Sequence, residues 1–255
     1  MSDRMMVCLA ASPLDWPQGI SLLKLWCDLQ PAPNPNIDIG IALRYDMDPA
    51  TVPVEIVQEL ERRIAKVHIF KSPFVGSGWP HGCNALETGA YQWFVERTRA
   101  GDIDADYILM CEPDTVPMRP DWMEVIRLEA VATAKPILGA YFTAEEGEPH
   151  INGNCVLHRN FWRECPAIWQ CPPGRGWDVY IGKQSLAIGA ASRLIWQEYR
   201  LGAPDNPWRG DDYLFAPKCY SGRNNPLYGQ PMQPAMIHGV KTRQGIEAIR
   251  KKFNI

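Results

Sequence analysis

The chain has 255 residues, with 26 Lys+Arg against 29 Asp+Glu, a formal net charge of −3 and a hydrophobic share of 46%. That length and balance supply enough chain for a sizeable core and exclude disorder, collagen and coiled coil. The weakly acidic charge argues against a large nonspecific DNA-binding surface, while a local basic groove stays open. No apolar run approaches the ~20 residues that span a bilayer, so no membrane partner is expected. The stretch from Met5 to Ala11 is too short for a secretory signal, which places the chain in the cytoplasm as an expectation.

Met5 to Ala11 predicts a first buried strand, and Gly19 to Leu29 a helix with Ile20, Leu22, Leu23 and Trp26 on its apolar side. Ile37 to Leu43 predicts a second strand, Pro53 to Lys66 a helix with proline near its start, and Val67 to Phe70 a third strand. Gly82 to Arg99 predicts a helix. Tyr107 to Met110 is a nearly continuous apolar run that suits a central strand covered on both faces. A helix from Trp122 to Thr133 and a strand from Pro136 to Phe142 follow. This alternation means βαβ units and a mostly parallel sheet. Beyond Thr143 the pattern loosens into short strands, His150 to His158, Arg193 to Tyr199 and Ala235 to Val240, spaced by Pro- and Gly-rich loops. With no internal repeat and no low-complexity linker, the expectation is one domain over 1–255, whose acceptor-side half, 143–255, follows a nucleotide-binding half, 1–142.

The eight cysteines are scattered without a Cys-x-x-Cys pair and read as reduced, core-filling thiols, and the compartment argues against a Cys165–Cys171 disulfide. The 23 prolines cluster in stretches such as Pro31 to Pro35 and Asn224 to Pro226, fixing long loops. Of the ten tryptophans, Trp79, Trp162 and Trp208, together with His81, are candidates for stacking on a ligand. After the first strand comes Ser12-Pro13-Leu14-Asp15, not a dinucleotide fingerprint, and no Walker A sequence exists. NAD-dependent dehydrogenases and P-loop kinases are disfavoured.

The sharpest local signal is Cys111-Glu112-Pro113-Asp114-Thr115, two carboxylates at the carboxyl end of a buried strand, where open α/β sheets bind ligands. Alternation along extended chain points Glu112 and Asp114 the same way, so they can share a hard divalent cation; a solvated turn is the plainer alternative. With these residues the sequence resembles the GT-A glycosyltransferases, especially the family 2-like group, in which an Asp-x-Asp motif ends a central strand. Glu112-Pro113-Asp114 looks like that motif with Glu in its first position. The resemblance implies a GT-A type α/β fold, a nucleoside-diphosphate sugar donor (a UDP-sugar foremost), and Mn²⁺ or Mg²⁺ held by Asp114, with Glu112 beside it.

A second matching stretch is Gly82-Cys83-Asn84, where family members place an Arg-Asn helix start lining the donor pocket; here Cys83 stands for the Arg and Asn84 matches. Independently, Gly78, Gly82 and a helix amino terminus offer N–H groups to a phosphate. By residue type alone Asn84 reads as a helix cap. A third is His238-Gly239-Val240-Lys241: the resemblance implies that His238 completes the metal shell while Gly239 and Lys241 approach the diphosphate. Imidazole suits Mn²⁺, glycine admits a close backbone approach and lysine offsets phosphate charge. Alone, His238 reads as a structural histidine; its place after a short apolar strand and in this order brings the ligand reading level with that one.

The resemblance also implies a base. Asp178, in Gly176-Trp177-Asp178, matches the family's Glu-Asp with Trp177 replacing the Glu, and implies inversion at the anomeric carbon; an N-cap Asp is the plainer reading. Asp211-Asp212 is the rival, with Asp212 as its candidate. Ala11 and Ser12 after the first strand, and Arg44 with Asp46 after the second, lie where the family holds base and ribose.

The function implied is metal-dependent sugar transfer to an acceptor hydroxyl on a glycan, a protein or, because the Trp-rich carboxyl half resembles small phage-encoded transferases, a hydroxymethylated pyrimidine in DNA. A sugar-nucleotide nucleotidyltransferase and a noncatalytic carbohydrate-binding protein are the competing classes. The former lacks its Gly-rich basic loop after the first strand.

Overall fold

The computed structural model describes residues 3–142, 149–215 and 234–255; Cys219 and the Asn224 to Pro226 stretch lie outside the described residues. In chain order the elements are β1 (Met5–Ala11), α1 (Trp16–Leu29), β2 (Ile37–Leu43), α2 (Val54–Arg63), β3 (Val67–Lys71), α3 (His81–Ala100), β4 (Tyr107–Cys111) and β5 (Val116–Pro117). Then come α4 (Trp122–Thr133), β6 (Ile137–Phe142), β7 (His150–His158), α5 (Phe161–Glu164), α6 (Trp177–Tyr180), α7 (Gly182–Ile188) and β8 (Ala190–Ala191). The last are β9 (Ile195–Leu201), α8 (Asp211–Phe215), β10 (Met236–Val240) and α9 (Gln244–Phe253).

Among the described residues, seven strands form the main sheet in the order β3-β2-β1-β4-β7-β6-β8. β1, β2, β3 and β4 pair in parallel, as the βαβ alternation requires. β7 runs against both β4 and β6. The span from Phe142 to His150 is too short for the crossover of about a dozen residues that a parallel neighbour needs, so β7 reverses.

Alternation within β1 explains the two cores. Met5, Val7 and Leu9 face a layer holding Leu22 and Trp26 of α1, Leu60 of α2, Trp122 of α4 and Ile249 of α9. Met6, Cys8 and Ala10 face the other layer, with Tyr91 and Phe94 of α3, then Phe161 and Trp177. A strand buried on both faces favours apolar residues at successive positions, which is why β1 reads as an unbroken apolar run. Cys165 and Cys171 carry free thiols, as do the other described cysteines.

A smaller sheet, β5-β10-β9, stands beside the carboxyl end of β4. β10 lies antiparallel to β5, with Ile237 opposite Val116, and parallel to β9, with His238 opposite Gln197. This ladder brings the late part of the chain to the Glu112–Asp114 turn. Among the described residues no helix is long and apolar enough to cross a membrane.

Candidate active site

Beyond the carboxyl ends of β1 and β4 lies a cavity of about 380 Å³, lined from both halves of the chain. Asp15, Asn84, Glu87, Glu112 and Asp114 come from the first half, and Asn154, Trp177, Asp178, His238 and Lys241 from the second.

The β4-to-β5 turn is built around Asn154 of β7. Its Oδ1 accepts from the Glu112 N–H at 2.7 Å and from the Thr115 hydroxyl at 2.9 Å, and its Nδ2 donates to Glu112 Oε2 at 3.1 Å. The Val240 N–H donates to the Asp114 carbonyl at 3.0 Å, which ties β10 to the same turn. His238 and Lys241 therefore arrive beside the two acids. His238 Nε2 stands 2.8 Å from Glu112 Oε2 and 3.3 Å from Asp114 Oδ1, and Lys241 forms an ion pair with Asp114.

The orientation of His238 is set from behind. Gln197 Nε2 donates to the Glu198 carbonyl at 2.9 Å, so its Oε1 must face His238 Nδ1, 2.5 Å away. Nδ1 then carries the hydrogen, and Nε2 is the atom presented to the cavity. This buried Nε2 makes no hydrogen bond of ordinary geometry.

One atom each from Glu112, Asp114 and His238 lies within 4.8 Å of the others. Two carboxylate oxygens and an imidazole nitrogen are the donors that Mn²⁺ accepts, and Mg²⁺ shares the oxygen preference. The residues fit such an ion.

Charge in the cavity is strongly coupled. Burial opposes ionisation of Asp114, yet His238 and Lys241 hold its carboxyl well below the usual range. Burial opposes ionisation of Glu112 as well, yet the short contact with His238 and its charge hold the carboxyl below its usual range. For His238 burial favours the neutral ring, but Asp114 and Glu112 push it up to about 10. Glu87 behaves oppositely. Burial, then the charge of Glu112, raises its carboxyl well above the usual range, and the Trp177 indole N–H donates to it. Burial and the neighbouring Glu112 thus both oppose a negative charge on Glu87.

The other wall depends on Asn84. Its Nδ2 donates to the Arg175 carbonyl at 2.7 Å and its Oδ1 accepts from the Trp177 N–H at 2.9 Å. The helix-cap reading is thereby corrected: α3 begins earlier, at His81, and Asn84 clamps the segment that leads into Asp178. Asp178 accepts from the Gly153 N–H at 3.0 Å and from the Val179 N–H at 2.9 Å, with His150 Nε2 3.7 Å away.

Of the remaining sequence candidates, Ala11, Ser12, Arg44, Asp46, Asp212 and Gly239 are not among the residues lining this cavity. Ser12 donates through both its N–H and hydroxyl to Asp15, at 2.7 and 3.1 Å, and it is Asp15 that reaches the cavity. Arg44 and Asp46 bind each other through two hydrogen bonds of 2.7 Å. Asp212 sits in the first turn of α8, next to Asp211, which pairs with Lys251 at 3.1 Å. Gly239 makes its close approach to the Glu198 carbonyl, which a Cβ would strike. Trp162 is covered by Arg99 and Arg163, whose guanidinium carbons stand 4.4 and 5.5 Å from its ring centre. Trp208 packs on the core, while Trp79 lines the cavity and is 82% exposed.

Sequence reasoning missed Asp15, Glu87, Asn154 and Gln197. Glu87 carried a faint signal, an acid in the same stretch as Asn84. Asn154 and Gln197 carried none, because each acts through a strand pairing distant in sequence.

No family model and no curated protein matches the sequence. Solved structures do. The bifunctional glycosyltransferase WbbM superposes with a TM-score of 0.60 at 12% identity, over 96% of this chain and 49% of that one, so this chain spans about half of it. The galactosyltransferase LgtC, solved with donor and acceptor sugar analogues, gives 0.53 at 12% identity, over 97% and 96%. Mouse xyloside xylosyltransferase 1 gives 0.52 at 10% identity, over 92% and 97%. A large, mostly parallel sheet flanked by helices, with a small second sheet at its carboxyl edge, gives this chain the GT-A glycosyltransferase fold.

Proposed function

We propose that the protein transfers a sugar from a nucleoside-diphosphate sugar to an acceptor hydroxyl, with Glu112, Asp114 and His238 holding a divalent cation. The observation that carries this reading is the charge of the cavity. Asp15, Glu112, Asp114 and Asp178 line it against His238 and Lys241, so a diphosphate enters only with a cation. When bound, the ion offsets the negative charge that develops on the leaving diphosphate.

The chain's own residues supply the rest. Lys241, on the rim, offers a second positive charge to the diphosphate. Asp178 is the base: it lines the same cavity, and two backbone N–H groups fix its orientation while leaving lone pairs for an acceptor. The acceptor oxygen bonds to the anomeric carbon, its proton passes to Asp178, and the bond to the diphosphate oxygen breaks with its electron pair leaving on the nucleotide.

Thermal unfolding with UDP, GDP and other nucleoside diphosphates, in Mn²⁺ or in EDTA, tests this. A nucleotide at about 100 times its dissociation constant adds ~2.7 kcal/mol. A Mn²⁺-dependent shift that vanishes in Asp114→Ala is expected. Stability unchanged by every nucleotide in a folded sample overturns the reading and favours a carbohydrate-binding protein.

A further inference from the structure

A second cavity, of about 350 Å³, adjoins the first at Asn84, which lines both. The connection from β3 to α3 serves the two together, giving Trp79 to the first and Phe74 and Val75 to the second, which His81 at the start of α3 also lines. The segment that Asn84 clamps also runs between them, with Cys171 in one and Trp177 in the other.

The chemistry of the two differs sharply. The first is rich in acids, whereas no Asp, Glu, Lys or Arg is among the described residues lining the second. Its walls mix apolar and polar side chains and are open to solvent, with Val75 69% and Trp169 38% exposed. Trp169 is stacked on Tyr91, with ring centres 5.6 Å apart and planes 17° from parallel. Tyr91 is itself fixed, its hydroxyl donating to the His158 carbonyl at 2.9 Å. Thr88 and Gln92 of α3 add polar atoms beside these faces.

We propose that this cavity is an acceptor subsite for a neutral sugar ring, a neighbour in the acceptor glycan of the residue that receives the transferred sugar. The inference rests on the transferase reading above. A pyranose presents an apolar C–H face, which an indole face matches, and hydroxyls at its edge, which hydroxyl and amide side chains match. With no lysine or arginine among the described residues lining it, the cavity lacks the cations that dominate affinity for nucleic-acid phosphates, which favours a neutral glycan over DNA as the acceptor.

The test applies wild type, Trp169→Ala and Val75→Asp to an array of neutral oligosaccharides, with UDP and Mn²⁺ present, and to a duplex oligonucleotide containing hydroxymethylated pyrimidines. Val75 is a surface residue, so its variant guards against misfolding of the Trp169 one. Wild type is expected to bind an oligosaccharide, both variants to bind it at least about tenfold more weakly, and all three to keep the same Mn²⁺-dependent UDP shift. A wild type with the UDP shift that binds no oligosaccharide, or binds only the DNA, overturns the subsite, as do variants with unchanged glycan affinity. Oligosaccharide binding lost in the variants but without any UDP shift keeps the subsite and overturns the transferase reading. Absence of both overturns both.

Discussion

Gly239→Ala separates two roles for one residue. As a point of approach to a diphosphate, the glycine would be dispensable for folding. The structure places it at φ +95°, where the register of β10 on β9 shifts between His238 and Val240. A side chain at such a φ costs ~1–2 kcal/mol. The added Cβ also collides with the Glu198 carbonyl oxygen, backbone that a sheet holds in place, and relieving such overpacking costs a further ~1–3 kcal/mol. The sum, ~2–5 kcal/mol, corresponds to a fall of about 4–20 °C in Tm for a chain of this size. Because the same strand carries His238, its displacement also weakens the Mn²⁺-dependent UDP shift. Calorimetric melting with and without UDP and Mn²⁺ reads both effects. A variant within about 0.5 kcal/mol of wild type that has lost only its nucleotide response would refute the packing argument and return Gly239 to the diphosphate.

Two further outcomes follow from the cavity. His238 is raised from 6.5 to about 10 in the folded protein, so its ionic contacts stabilise the metal-free fold fully below 6.5, and that stabilisation is lost as pH rises through 10. Metal-free stability therefore falls across that window, less so in His238→Gln, as measured by urea melts. Mn²⁺ needs the neutral ring, so its affinity rises with pH over the same range and binding expels a proton, which calorimetry in two buffers detects; zero proton release would contradict His238 as a ligand. For the base, Asp178→Asn is expected to slow transfer by about 10²- to 10⁴-fold while Asp212→Asn leaves it within about twofold. Equal losses in single-turnover assays would argue against the assignment.

The elements that could be read from the chain were those whose burial is local. β1 and β4 are buried at every position, and their apolar runs show it directly; β2, equally buried, is interrupted only by Asp38, which pairs with Arg4. Glu112 and Asp114 were legible for the same reason: an acid pair at the end of such a run has few structural uses. β7 was read as a strand but not in its direction, since an antiparallel insertion between β4 and β6 leaves no mark on the alternation of its own residues. Arg44 and Asp46 show the opposite limit. Position at a strand end suggested a donor contact, and only coordinates reveal that the two satisfy each other.

The sequence by itself determined the βαβ framework, the acidic turn after β4 and the order in which Asn84, Asp114, Asp178 and His238 occur, because hydrophobic period and residue chemistry are properties of the chain. Tertiary structure alone decided which of these meet. The β5–β10–β9 ladder carries His238 and Lys241 more than a hundred residues back to Glu112 and Asp114. Gln197 and Asn154, silent in sequence, set the orientation of the imidazole and of the acidic turn. The upward push on the Glu87 carboxyl follows from its burial beside Glu112, and burial of one side chain by another exists only once the chain has folded.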